Sequence, residues 1–216
     1  MSNTNNSPTS SSSNPSEGSG DFFLDDSTPP PPTELFDAVN NNDVTTVELL
    51  LSEGDPIESK NHLGQTPIIT ASALGYLSLV ELLISHGATI EAVDKLGYTA
   101  LLEACSSGHS LVVRLLLDNG ANIETRQPRY GRTPLIEAAK GGYEDIVRLL
   151  VERGANKEAR DCQGKTALLW AARNEKRDMM NLLVKLGADM EARDGEGKTA
   201  LEIAKRVEES SDDSNY

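Results

Sequence analysis

The side chains best suited to chemistry in this 216-residue chain are cations and aromatic rings, and they gather in one stretch. Residues 126–177 hold twelve Lys or Arg against seven Asp or Glu, whereas residues 33–125 hold three against thirteen. Arg129, Tyr130, Arg132, Lys140, Lys165, Trp170 and Arg173 all lie in the basic stretch, with Tyr98 upstream of it. Guanidinium groups form a rigid fork for carboxylates, and Tyr, Trp and Arg are the side chains that most often anchor protein contacts. The chemistry offered is recognition, and an acidic segment of another protein is the partner it suits.

Catalytic constellations are not legible in the same way. His62, His86 and His109 have no Ser, Cys or carboxylate partner at a repeated spacing, so no nucleophile–base pair is expected. Cys105 and Cys162 are too few for a zinc site, which needs four clustered ligands, or for a disulfide framework. The glycines do not follow a phosphate-cradling pattern. No catalytic residue, metal or cofactor is expected.

The elements that must position these residues are set by an internal period. Thr33, Thr66, Thr99, Thr133, Thr166 and Thr199 are 33 or 34 residues apart, and a glycine stands two residues before each of the last five. That Gly permits a tight turn, and Thr is a good helix N-cap, followed by Pro67 and Pro134 where a missing N–H is harmless. A short Ala-rich helix is expected to run to Gly75, Gly108 or Gly142. A second helix then carries apolar runs such as Val80–Ile84 and Val113–Leu117, stopped by Gly-Ala at 87–88, 120–121, 154–155 and 187–188.

This pattern resembles the ankyrin repeat, a β-turn followed by two antiparallel helices with a T-P-L-H-x-A signature. It covers residues 33–206 and departs at the His, replaced by Ile69, Leu102, Ile136 and Leu169. Apolar packing is expected to stand in for the hydrogen bonds of that His. The resemblance implies an all-α ankyrin-repeat solenoid. Four full repeats fall near 61–93, 94–126, 127–160 and 161–193, with a degenerate N-terminal cap at 33–60 and a half repeat from 194 onward. It also implies a concave face of turn tips and inner helices that binds a protein. Cys105 occupies a small inner-helix position and is expected in the core, and Trp170 is expected to pack between repeats.

Other features frame that expectation. Glu58, Glu91, Glu124, Glu158 and Glu191 recur at one repeat position, with Arg126, Arg160 and Arg193 two residues after the third, fourth and fifth. Surface ion pairs are the expectation for them. Residues 1–32, rich in Ser, Asn and Pro, and the acidic residues 207–216 lack apolar periodicity and are expected to be disordered tails. The net charge of −14 opposes broad binding of nucleic acid or anionic membrane. No run approaches a membrane span, and the first residues resemble neither a secretory nor a transit peptide. A monomeric, non-catalytic interaction module of the cytoplasm or nucleus, an adaptor or chaperone-like subunit, is the expectation. The alternative is a regulatory or inhibitory subunit of an enzyme or transcription factor, switched by phosphorylation of tail sites such as Ser7 or Thr28 that precede Pro.

Overall fold

The period of the sequence becomes a series of helical hairpins in the computed structural model, which describes residues 33–212. The expected N-terminal tail, 1–32, and residues 213–216 lie outside the described residues. Inner helices α1 (Thr33–Asn40), α3 (Pro67–Leu74), α5 (Ala100–Ser107), α7 (Pro134–Gly141) and α9 (Ala167–Arg173) alternate with outer helices. The outer set is α2 (Val44–Glu53), α4 (Leu77–Ser85), α6 (Ser110–Asp118), α8 (Glu144–Glu152) and α10 (Arg177–Lys185), and α11 (Ala200–Asp212) closes the series. Five hairpins and one final helix match the expected first cap, four full repeats and half repeat. No strand forms among the described residues, where one isolated bridge joins Arg193 and Thr199.

Local chemistry sets the helix limits. Thr99, Thr133 and Thr166 accept a hydrogen bond at Oγ1 from the backbone N–H three residues on, at 3.3–3.4 Å, which satisfies one orphan donor of each inner helix. Gly75, Gly108 and Gly142 end α3, α5 and α7 with φ of 76°, 85° and 86°, a left-handed conformation that costs an L side chain energy. In the fifth hairpin that conformation falls on Glu175, with φ 55°. Asn42 holds it in the first hairpin, and Asn tolerates this region better than most residues.

Packing follows from the periodicity of apolar positions. Inner helices stack on inner helices in chain order, and outer on outer more sparsely. Ala71, Ala104, Ala138 and Ala171 are fully buried, so the inner helices approach closely through methyl groups. Ile69, Leu102, Ile136 and Leu169, in place of the signature His, are buried in the same column as the apolar substitution predicted. Cys105 is in this core, and burial, reinforced by the charge of Glu137, pushes its thiol pKa up. A buried thiol held protonated is inert as a nucleophile.

Polar clasps join the outer loops, and here the structure corrects the expected ion pairs. Glu58, Glu91, Glu124 and Glu158 each accept a hydrogen bond at 2.7–2.9 Å from a backbone N–H of the next repeat, on Thr89, Asn122, Asn156 and Asp189. The arginines turn to carbonyls instead. Arg126 donates to Gly131 and Arg160, and Arg160 to Gly164 and Arg193. A carboxylate facing an orphan N–H gains a fixed, charge-assisted partner, whereas a pair of flexible exposed ions gains little. The last helix, α11, runs from Ala200 to Asp212. Extending a nucleated helix adds a hydrogen bond per residue without repeating the nucleation cost.

Three substitutions test these causes by chemical denaturation. Leu102→Ala, in the fully buried column, should lose about 3 kcal/mol. Leu96→Ala, 60 % exposed on a turn, should change stability by less than about 0.5 kcal/mol. Glu175→Gly should raise stability by about 0.5–1 kcal/mol by relieving the left-handed strain.

Candidate functional site

The turns before α3, α5, α7, α9 and α11 form a row of fingers. In three of them one Asp Oδ1 accepts two backbone N–H groups at 2.8–3.0 Å: Asp94 from Leu96 and Tyr98, Asp161 from Gln163 and Lys165, Asp194 from Glu196 and Lys198. Adjacent fingers are tied by backbone bonds from Lys95 N to Leu63 O, Cys162 N to Tyr130 O and Gly195 N to Gln163 O. The finger before α7 departs from this plan, because 34 residues rather than 33 separate Thr99 from Thr133. Pro128 has no N–H to give to Leu96 O, and buried Gln127 supplies its Nε2 there at 2.9 Å. Its Oε1 accepts the N–H of Tyr130 at 2.6 Å. The extra residue is thus accommodated by one side chain, and the finger presents Arg129 and Tyr130.

All eight residues expected at the site meet in one network on this face. Its hub is Glu137 on α7, only 2 % exposed and not anticipated from the sequence. Glu137 Oε1 lies 3.3 Å from Arg132 Nη1 and accepts a long hydrogen bond, 3.5 Å, from the Tyr98 hydroxyl. Its Oε2 lies 3.5 Å from Lys140 Nζ. A buried carboxylate requires such partners, since desolvation without them is expensive. The Tyr98 hydroxyl is pushed up to about 12 by burial and by the charge of Glu137, with Arg132 opposing.

From the hub the network continues as stacked cations and rings. The Arg132 guanidinium lies between two aromatic faces, 4.6 Å from the Tyr130 centroid and 4.7 Å from that of Trp170. Arg129 sits 5.2 Å from Tyr130, and Lys165 and Arg173 lie 5.5 and 5.9 Å from Trp170. These are cation–π distances. Trp170 is nearly buried, and its Nε1 donates to Asp161 Oδ2 at 2.8 Å, so the ring both packs between repeats and helps to build the site. Lys165 is also buried along most of its length, with Nζ donating to Gln163 Oε1 at 2.7 Å.

The remaining reactive side chains are dispersed. His62 and Cys162 are exposed on separate fingers, and His109 sits between helices with Nε2 3.0 Å from the Ala73 carbonyl. No group of three potential metal ligands occurs among the described residues. Upstream, Glu103 occupies on α5 the place that Glu137 has on α7. Burial, with the charges of Asp94 and Glu137, raises its carboxyl pKa. The face therefore changes character along the stack, from carboxylates near α5 to cations and rings on α7 and α9.

Comparison with known proteins agrees with this architecture. A family model described as ankyrin repeats (3 copies) matches residues 35–127 and again 124–194. A search of curated proteins found no significant match. Ankyrin repeats are generally protein–protein interaction modules and typically non-catalytic, and no helix among the described residues is long and apolar enough to cross a membrane. The turn-and-helix-pair period, the stacked inner helices and the matched residues together place this chain in the ankyrin-repeat family.

Proposed function

We propose that this chain is a non-catalytic adaptor or chaperone-like subunit that docks another protein on the face made by its fingers and inner helices, at repeats three to five. The observation that carries the reading is the network around Glu137. Its cations and tyrosines occupy finger and helix-end positions that stacking does not dictate, yet they are held against one another and against the packed Trp170 ring rather than waving in solvent. Preorganised side chains lose less entropy on binding, so a surface of this kind converts contact into affinity efficiently. Exposed Arg129 and Arg173 with half-exposed Lys140 give it a positive potential in an otherwise acidic molecule. Complementary charge of that sort accelerates and orients encounter with an acidic partner.

Both cysteines are free thiols, Cys105 buried and Cys162 exposed. An exposed unpaired thiol suits a reducing setting such as cytoplasm or nucleus. Cell fractionation reads the compartment directly.

The docking face is tested by selecting displayed random peptides on the immobilised full chain. Most selected clones should bind the double variant Arg129→Glu/Lys140→Glu at least about tenfold more weakly, a loss of ~1.4 kcal/mol. Binding to Arg148→Glu, altered at an exposed position of outer helix α8, should be unchanged. Clones lost with Arg148→Glu but kept by the double variant would place binding on the wrong face.

A further inference from the structure

The cations of the network are not equivalent, and their inequality specifies a partner. Five side chains alternate as cation and ring: Arg129, Tyr130, Arg132, Trp170 and Arg173. The central guanidinium is only 13 % exposed and its charge is met by Glu137 at 3.3 Å. Arg129 and Arg173, at the two ends, are exposed, and among the described residues neither has a carboxylate partner. A ring face steadies a guanidinium without neutralising it. Lys165, beside Arg173 on the same ring, hydrogen-bonds to the uncharged Gln163 and lies within the electrostatic reach of Asp194, so it is Arg173 that stands unpaired at that end. The middle of the column is thus electrically settled and lined by rings, while among the described residues the guanidinium at each end forms no ion pair.

We propose that the partner is an extended protein segment with two carboxylate side chains bracketing a short apolar stretch, one acid meeting Arg129 and the other Arg173. The apolar residues would lie over the Tyr130–Arg132–Trp170 stack. This rests on the reading that the inner face docks a protein, and it adds which chemistry is recognised and how it is spaced. The chain of ring contacts places the outer guanidiniums at most about 20 Å apart, a span that about six residues of extended chain cover. Arg132 acts as a positioning residue that sets the distance between its neighbours. A nucleic-acid strand fits less well, because a phosphate backbone needs a continuous basic track and repeats two and three present three bases against many acids, Glu103 among them.

The test is fluorescence anisotropy of labelled synthetic peptides on the full-length chain. The probes are Ser-rich peptides with a Leu centre and two glutamates at graded spacing, single-glutamate versions, a two-glutamine version, and a single-stranded oligonucleotide. The paired peptide should bind at least about tenfold more tightly than either single-glutamate peptide, with an optimum at or below the ~six-residue span. Arg129→Gln and Arg173→Gln should each reduce it to the single-glutamate level, and each should lessen its salt dependence. Arg148→Gln should leave it unchanged. Affinity indifferent to the number of glutamates, indifference to both arginine substitutions, absence of binding by every peptide, or tighter binding of the oligonucleotide would overturn the proposal. Displayed clones that bind the inner face without paired acids would remove the proposal and leave the interaction reading standing.

Discussion

Everything in this molecule depends on the fact that a two-helix hairpin cannot bury its own apolar face. Burial is completed only when the next hairpin is laid against it, so stability resides in interfaces between neighbours. The Ala71, Ala104, Ala138 and Ala171 column lets the inner helices approach, and Ile69, Leu102, Ile136 and Leu169 fill the space between them. Glutamates that reach the next repeat's backbone and arginines that reach its carbonyls tie the edges of the same interfaces. Because the turns and inner helices must keep this register, the side chains they carry are delivered to one surface at fixed intervals.

That delivery explains how a site arises from an ordinary scaffold. The stack holds successive fingers side by side, and the one extra residue in the finger before α7 alters what is displayed there. Gln127 absorbs the irregularity by replacing both the missing Pro128 N–H and the aspartate of its sister fingers. Arg129 and Tyr130 then stand against Arg132, and the neighbouring repeat brings Trp170, Lys165 and Arg173 to the same place. Glu137 makes the crowding tolerable by receiving Arg132, Lys140 and Tyr98 together.

The repeat was legible because threonine, proline and glycine act locally: each cap or turn depends on its own few residues and recurs in register. The positive cluster was legible for a related reason, since finger and helix-end positions can be counted from those caps. Glu137 escaped notice because a glutamate in the first turn of a helix looks like a surface residue favoured by the helix dipole. Only its place in the column with Thr70, Glu103 and Trp170 shows that it faces Arg132 and Tyr98 from two turns and Lys140 from the end of its own helix. The regular glutamates escaped for another reason. Their partners are backbone N–H groups one repeat away, and a sequence does not display unpaired backbone donors.

The central claim is that the inner face is preassembled around the buried Glu137 carboxylate. A double-mutant cycle between Glu137→Gln and Arg132→Gln, read by chemical denaturation of the full-length chain, tests it most directly. The account predicts a coupling of about 1–3 kcal/mol, since each substitution removes the same buried contact. A coupling below about 0.3 kcal/mol, with the two losses simply adding, would mean that the residues do not act together and would contradict it.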